Sequence, residues 1–360
     1  MNVGGGGRLG VMERSPSWYL LMHQSRPSSS GVARTHEPQP RSANADPQPR
    51  PLVTIVVVTH NSAKGLSNVL REVLDLRRDD VELVIIDGAS TDATLEIIRA
   101  REGEIDQWLS EPDGGPYEAM NKGLRLGRGQ WFYFLGADDR LQAGFLAMLA
   151  TLQNPATIYY GDVWMPRRSI RYGGAFTPLE LALRNICHQA IFYPRCVWQA
   201  HRYDPRYPRL ADYALNLRCC ADANLRFEYV PELVAIFNDQ GGLSQSGLDL
   251  AFEADRLALV RPMLPLHLYL LACAWHLGLR GLRRIGGFDL AWRAKLALTR
   301  YLQRTRRRPG VIPSPTSATR RPTSAHSDPP NLSPAVDSSN ATGPTGPAAQ
   351  LDDDRARPNG

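Results

Sequence analysis

Hydrophobic positions in the first half of the chain alternate between short continuous runs and longer runs with helical spacing. Residues 53–58 are a continuous, mostly β-branched run, the pattern of a strand buried on both faces. Residues 63–76 place apolar side chains three and four positions apart, as an amphipathic helix does. The alternation continues with strands predicted at 82–87, 105–109 and 130–135 and with helices predicted after residue 91, at 116–126 and at 141–149. Such alternation predicts an α/β fold with a mostly parallel sheet and helices on both faces.

The second half is less regular. Short β-rich runs predict strands at 157–163, 189–193, 226–230 and 232–237, and a helix is predicted at 210–221. Residues 249–305 have a helical pattern throughout. We therefore expect one domain at 52–260, followed by a helical, basic extension at 261–305.

Composition separates both ends of the chain from this core. Residues 309–360 contain ten prolines and no Phe, Trp or Tyr, and residues 23–51 are also rich in proline without an aromatic side chain. Such segments have too little apolar area to offset their chain entropy. We expect disordered tails at 1–51 and 306–360.

The cysteine and charge patterns limit the kinds of protein that this chain could be. The five cysteines form no C-x-x-C pair, which argues against a disulfide framework and a cysteine zinc site. The net charge is +6, and residues 280–308 contain ten Arg or Lys and one acid. This patch could meet nucleic acid or an anionic membrane surface, but no aromatic-interleaved RNA-binding pattern accompanies it. We expect a cytoplasmic protein that does not bind nucleic acid.

Residues 264–279 form the most apolar stretch of the extension. The run has 16 residues, which is shorter than the roughly 18–20 of a clear membrane span. With its basic flank, it suits an interfacial helix attracted to anionic lipid, or equally a helix packed on the domain. We expect peripheral membrane binding that weakens in high salt.

Polar residues cluster where each of the first four predicted strands ends. Thr59 and Asn61 follow the first strand, Asp87 the second, Asp113 the third and Asp138 the fourth. In an open parallel sheet, ligands collect beyond the carboxyl ends of the strands. The clustering therefore predicts a binding site at this edge, although each residue alone could belong to an ordinary turn.

Two of these clusters suggest particular ligands. Asp113-Gly114-Gly115 precedes a helix that carries Asn121 and Lys122, so glycine backbone and helix N-terminus together could bind an anion. Lys122 could face a phosphate or solvent, and solvent is the simpler interpretation. Asp87 could accept hydrogen bonds from a base or ribose, or form a turn.

Asp138 and Asp139 are adjacent carboxylates directly after an aromatic strand. Like charges at such a place need a compensating cation or donors. Hard oxygen ligands suit Mg²⁺ or Mn²⁺, with phosphate and water completing the coordination. We favour a metal over the alternative, a solvated loop that starts the next helix.

Together these residues resemble a family 2 glycosyltransferase of the GT-A fold. The resemblance rests on "VTIVVVTHN", "LVIIDGASTDAT", "SEPDGGPYEAMNKGL" and "GQWFYFLGADD", and it continues through "CHQAIFY", "LADYAL" and "GGLS". It covers about residues 52–260 and implies a nucleotide-sugar half at 52–140 and an acceptor half at 141–260. The tails are not covered.

The resemblance implies a role for each matching residue. The residues that would bind the nucleotide sugar are Thr59, Asn61, Asp87, Asp113, Gly114, Asn121, Lys122 and Asp138. Gly136 replaces the first acid of the family's D-x-D element, and Asp139 would bind the metal. Asp212 matches the catalytic base, although its place at the start of a predicted helix would otherwise suggest an N-cap. His188 and Gln189 would lie on the acceptor side, and Gly241–Ser244 could close over the diphosphate.

The implied function is metal-dependent, inverting transfer of a sugar from a nucleoside diphosphate to a hydroxyl. A UDP-sugar is the default donor, and a glycan or lipid-linked molecule of the cell surface is the expected acceptor. Two alternatives remain open at this point. One is a non-catalytic nucleotide-sugar-binding protein, and the other is a sugar nucleotidylyltransferase, which usually has a Gly-rich loop absent after residue 59.

Overall fold

A computed structural model describes residues 50–239, 247–305 and 311–312 of the chain. The strands are β1 Val53–Thr59, β2 Val81–Asp87, β3 Gln107–Ser110, β4 Trp131–Gly136, β5 Arg140–Leu141, β6 Thr157–Met165, β7 Ile170–Tyr172, β8 Ile191–Pro194, β9 Arg226–Ile236 and β10 Val311–Ile312. The α-helices are α1 Ala63–Leu76, α2 Thr94–Ala100, α3 Pro116–Leu126, α4 Gly144–Thr151, α5 Pro178–Leu183, α6 Val197–Ala200, α7 Ala211–Ala221, α8 Leu250–Val260 and α9 Leu266–Thr305. The segment Gly241–Ser244 and nearly all of both predicted tails lie outside the described residues.

The strands form one mixed sheet in the order β10-β9-β6-β8-β4-β1-β2-β3. β1 pairs in parallel with β2 and with β4, and β2 pairs in parallel with β3. β8 runs antiparallel to both of its neighbours, β4 and β6. The first four strands therefore end at the same edge, as the alternation of patterns predicts.

Helices cover both faces of the sheet, which confirms the predicted α/β class. Alternate residues of β1 enter two different cores: Val56 and Val58 join the first, and Ile55 and Val57 join the second. The first core also takes side chains from α3, α5, α7, α8 and α9, and the second takes side chains from α1, α2 and α4. Burial on both faces explains why β1 is a continuous apolar run rather than an alternating one.

The second half differs from its predicted elements at two places. The two strands predicted at 226–230 and 232–237 are one strand, β9, which pairs with β6 through an irregular register near Asp162. Gly161 permits this irregularity, because a β-carbon there would lie 2.6 Å from the carbonyl oxygen of Glu232. Residue 189 does not begin a strand. It belongs to a 3₁₀ turn, His188–Ala190, that precedes β8.

The C-terminal extension is helical, as predicted. A short 3₁₀ turn, Arg261–Met263, leads into the 40-residue helix α9. In the described part of the chain, no helix has both the length and the hydropathy to cross a membrane. Val311–Ile312, which we expected to be disordered, pairs with Phe227 and Glu228, because the edge strand β9 offers unpaired backbone groups there.

Candidate functional site

The loops after β1 and β2 are tied together at the ligand edge of the sheet. Asn61, at a positive φ of 47°, donates its backbone N–H to Ser90 Oγ at 2.8 Å. Its side-chain oxygen accepts the backbone N–H of Thr91 at 2.8 Å. Asn61 remains exposed, and the buried hydroxyl of Thr59 has no hydrogen-bond partner among the described residues. Asn61 is therefore accessible to a ligand at this edge, whereas the Thr59 hydroxyl is enclosed by the protein.

Asp87 lies behind this edge. It is fully buried, and its carboxylate accepts hydrogen bonds from the backbone and hydroxyl of Ser90 and from the hydroxyl of Ser110 at 2.6 Å. These bonds connect the loops after β2 and β3. In the structure Asp87 therefore orders the loops, and a direct contact between Asp87 and a nucleotide stays a prediction.

The turn after β3 brings Asp113 to the same place. A β-carbon on Gly88 would lie 3.0 Å from Asp113 Oδ2 and 3.3 Å from His60 Nδ1, so three loops meet within contact distance. Burial raises the pKa of Asp113. Gly114 is exposed and Gly115 has a φ of 127°, a conformation that glycine adopts without strain. This turn leads directly into the N-terminus of α3.

The two predicted site residues of α3, Asn121 and Lys122, are both bonded to protein groups. Asn121 bonds the backbone of Tyr203 through both its amide nitrogen, at 2.8 Å, and its oxygen, at 3.2 Å. Lys122 is buried, its ammonium donates to the Pro112 carbonyl at 2.7 Å, and it lies 3.0 Å from Glu111. The expectation that Lys122 faces solvent is therefore wrong. Its predicted contact with a phosphate is not tested.

Asp138 and Asp139 occupy different environments despite being adjacent. Asp138 is exposed and accepts the side-chain amide of Asn238 at 3.1 Å. Asp139 is buried and accepts hydrogen bonds from the Gln189 side chain at 2.8 Å, from the Asn238 backbone at 3.0 Å and from the Gly136 backbone at 3.1 Å. The alternative of a simply solvated loop therefore does not describe Asp139.

The environment of Asp139 disfavours its ionised form. Burial, with repulsion from Asp138, raises the pKa of Asp139 to about 6. A bound cation would remove this cost by favouring the ionised form. The charge balance of the pair therefore favours a positively charged ligand.

The donor atoms at this place suit Mg²⁺ or Mn²⁺. A β-carbon on Gly136 would lie 3.0 Å from Asp138 Oδ1 and 3.0 Å from Asp139 Oδ2, so the two carboxylates converge over this glycine. In the residues that are described, no three His, Cys, Asp or Glu side chains gather as a metal site. Two carboxylates would thus need oxygen ligands from substrate and water, which is a common arrangement for Mg²⁺.

Asp212 lies in the first turn of α7 but does not cap it. The N-cap is Leu210, and the Asp212 carboxylate instead accepts the Tyr117 hydroxyl at 2.9 Å and the Asn185 amide at 2.8 Å. These partners are 95 and 27 residues away in the sequence. The N-cap interpretation of Asp212 is therefore wrong, and its position is set by tertiary contacts.

One turn, His188–Ala190, reaches both acidic groups. His188 Nδ1 is 3.5 Å from Asp212 Oδ2, and the next residue, Gln189, donates to Asp139. The backbone carbonyl of Gln189 accepts the Tyr133 hydroxyl at 2.8 Å, which anchors the turn to β4. Gln189, predicted on the acceptor side, therefore contacts the candidate metal ligand.

Sequence reasoning did not select Asn238, Asn185 or Tyr117 for the site. Asn238 follows β9 and binds both Asp138 and Asp139, so the end of this strand was an available signal. No local pattern marks Asn185 or the Tyr117 hydroxyl, because their partner, Asp212, is remote in the sequence.

Comparison with known proteins identifies the family. Residues 54–230 match the family described as Glycosyl transferase family 2. A "PGL/p-HBAD biosynthesis glycosyltransferase" of Mycobacterium tuberculosis is 40% identical over 211 residues, which are 56% of this chain and 82% of that protein. A Mycobacterium bovis protein with the same name matches equally well.

A solved structure supports the fold. Residues 1–349 of Staphylococcus aureus TarS align with a TM-score of 0.51 at 16% identity, over 66% of this chain and 74% of that one. This likeness concerns the fold alone. The family match and the mycobacterial relatives favour a glycosyltransferase over a sugar nucleotidylyltransferase, and the chain belongs to glycosyl transferase family 2.

Proposed function

We propose that the protein transfers a sugar, with inversion, from a nucleoside-diphosphate sugar to a hydroxyl of a glycan or lipid-linked acceptor. A UDP-sugar is the proposed donor, and Mg²⁺ or Mn²⁺ the proposed cofactor. The name of the mycobacterial relative supports an acceptor in glycolipid biosynthesis. Synthesis of cell-surface glycans or glycolipids at the cytoplasmic side of a membrane is the process that we infer.

The turn His188–Ala190 is the observation that carries this proposal. An inverting transfer needs charge compensation at the leaving diphosphate and a base at the incoming hydroxyl. The structure offers a carboxylate for each task, Asp139 and Asp212, and adjacent residues of one turn contact the two. This arrangement supports a reaction centre between the two acids.

On the donor side, we assign direct contacts to residues at the ligand edge of the sheet, most of which are at least partly exposed. Thr59, Asn61 and Asp113 would bind the base and ribose, and the exposed backbone of Gly114 would face the diphosphate. Asp138 would meet the ribose. Asp87, Asn121 and Lys122 would act mainly by holding these loops, since their polar atoms already bond to protein groups.

Asp139, with Asp138 beside it, would hold the cation. When bound, the cation neutralises negative charge that develops on the leaving diphosphate. The contribution of the chain is to orient the Asp139 carboxylate, since Gln189 donates to its Oδ2 and the backbone of Asn238 to its Oδ1.

Asp212 would be the general base. It takes the proton of the acceptor hydroxyl while that oxygen forms its bond to the anomeric carbon, and the bond from that carbon to the diphosphate breaks with both electrons leaving on the diphosphate. The bonds from Tyr117 and Asn185 fix the carboxylate so that it need not reorganise during transfer. His188, 3.5 Å away, would position the acceptor.

The test measures donor binding and sugar transfer separately. Purified protein is given a panel of nucleotide sugars with Mn²⁺, Mg²⁺ or EDTA, and a lipid extract as acceptor source. We expect one donor to be hydrolysed or transferred, and EDTA to suppress both reactions. Asp139→Asn should weaken metal-dependent donor binding. Asp212→Asn should lower turnover about 100-fold or more with donor binding retained, because general bases typically contribute that much.

The control is Asp222→Asn, at the opposite end of α7 from Asp212, which should keep normal turnover. Full transfer activity in Asp212→Asn would remove this residue as the base. Donor binding without hydrolysis or transfer under any condition would instead support the non-catalytic alternative. No donor binding at all would overturn the proposed site.

A further inference from the structure

Helix α9 carries an apolar stripe that the described residues leave uncovered. Leu270, Leu277 and Ile285 are 57%, 65% and 86% exposed, and Leu266 and Leu271 are exposed to a similar degree. Successive positions are four, one, six and eight residues apart, which places all five within an arc of about 140° on one side of the helix. Isolated exposed leucines are common on protein surfaces, but a continuous row of them is not.

The orientation of this stripe is set by contacts on the opposite side of α9. Ala272 and Leu279 are buried there, and His276 bonds the carbonyl of Ala182 in α5 at 3.1 Å. Arg283 pairs with Glu253 of α8 at 3.2 Å. The helix is therefore held against the domain by one side, and the stripe faces outward.

Between Asp255 and Asp289 the charged side chains are all basic, although Arg256 is buried and Arg283 pairs with Glu253. Residues 256–288 contain five arginines and no Asp or Glu. Arg284 is exposed and lies two turns beyond Leu277, on the same side of the helix as Leu270 and Leu277. From Leu266 to Ile285 the stripe extends roughly 28 Å at the usual rise of a helix. An apolar surface of this length with basic side chains at its end matches a partner that is both apolar and anionic.

We propose that this stripe of α9 lies in the surface of a bilayer that contains anionic lipid. Leu266, Leu270, Leu271, Leu277 and Ile285 enter the boundary between headgroups and acyl chains, and Arg284 meets the headgroup phosphates. Gly278 and Gly281, which lie between these leucines and Arg284, have open space above them. This inference extends the proposed function by naming the surface that meets the membrane, and it does not depend on the transfer reaction.

The test is flotation of the full-length protein with vesicles, without donor or acceptor. Vesicles of phosphatidylcholine alone are compared with vesicles that also contain phosphatidylglycerol. We expect binding to the anionic vesicles that weakens in high salt. The double variant Leu270→Glu/Leu277→Glu should bind about tenfold or more weakly, whereas Arg284→Gln should chiefly reduce the preference for anionic lipid.

The matched control is Leu146→Glu, a partly exposed leucine of α4 on the other face of the sheet. It should float like the unaltered protein, and thermal unfolding should show all variants folded. Equal flotation of the double variant and the control would overturn the proposal. The proposal would also fail if the unaltered protein formed a dimer and did not bind vesicles, and if the double variant were monomeric. A second copy of the chain would then cover the stripe. Neither result would bear on donor binding or turnover.

Discussion

The phenol of Tyr117 links the start of α3 to the proposed base, Asp212. Tyr117 lies in the first turn of α3, directly after the Asp113–Gly115 turn, and its hydroxyl is 2.9 Å from Asp212 Oδ1 and 3.0 Å from the Arg209 carbonyl oxygen. Burial, with the negative charge of Asp212, raises the pKa of Tyr117 well above its ordinary value, so the group stays a hydrogen-bond donor. Tyr117 is thus a positioning residue for the proposed base.

Tyr117→Phe should lower kcat about tenfold and leave KM for the donor nearly unchanged. The loss of one hydrogen bond to a charged group is worth about 1.5 kcal/mol, and about 1.4 kcal/mol corresponds to a factor of ten in rate. Steady-state kinetics with a saturating acceptor measures both constants.

Tyr213→Phe is the matched control, because Tyr213 is next to Asp212 but donates its hydroxyl to the Leu181 carbonyl. Tyr213→Phe should lower the free energy of unfolding, but it should not lower kcat as much as Tyr117→Phe does. If both variants lose activity equally, the effect of Tyr117 is structural rather than positional.

At the scale of elements, α1 supports the loop that carries the proposed metal ligands. Gly65 is the contact point: a β-carbon there would lie 2.3 Å from the Ala137 carbonyl oxygen and 3.6 Å from the Asp138 Cα. Since the obstacle is backbone rather than a flexible side chain, it cannot simply rotate away. The close approach of helix and loop therefore depends on this glycine.

Gly65→Ala should displace the loop after β4 and weaken metal-dependent donor binding by about tenfold. Alanine alone would favour the helix by up to about 1 kcal/mol, so a loss of binding would have to come from the steric contact. Isothermal titration of donor with Mn²⁺ measures it. Gly278→Ala in α9 is the control, because a β-carbon there has open space. Unchanged binding in Gly65→Ala would show that the loop tolerates the shift.

At the scale of the whole molecule, ion pairs near α7 make stability depend on pH. Asp204 bonds Arg206 at 2.8 Å and Arg218 of α7 at 3.0 Å. The hydrogen bond from Arg206 has the largest effect, and together with the bond from Arg218 it lowers the pKa of Asp204 to about 2. A carboxyl whose pKa is lower in the folded state stabilises the fold above its unfolded pKa, and the effect disappears as the pH falls through the folded pKa.

Asp204→Asn should therefore reduce the free energy of unfolding by about 1 kcal/mol at pH 6, a modest value because Arg206 is exposed and water screens the pair. The difference from the unaltered protein should shrink between about pH 4 and pH 2. Urea unfolding across this range measures it. Asp79→Asn, at an exposed position, serves as the comparison. A difference that does not vary with pH would contradict the assignment.

Much of the fold could be predicted because its signals are local. The continuous apolar runs of β1, β2 and β4, and the proline and glycines that open α3, depend only on neighbouring residues. The prediction failed where a distant group changes local structure. The turn at residues 188–190 replaces the expected start of a strand, and the Gln189 side chain there is bonded to Asp139, 50 residues away.

For this protein, the sequence by itself determined the α/β class, the edge of the sheet where ligands would collect and the motifs of the family, since strand ends follow from periodicity. Only the tertiary structure decided which polar residues at that edge stay accessible. Asp87 and Lys122 are buried and form hydrogen bonds with other protein groups. Asp212 does not cap its own helix but accepts hydrogen bonds from Tyr117 and Asn185. The physical reason is that hydrogen bonds and desolvation depend on neighbours in space, which a single strand or helix does not specify.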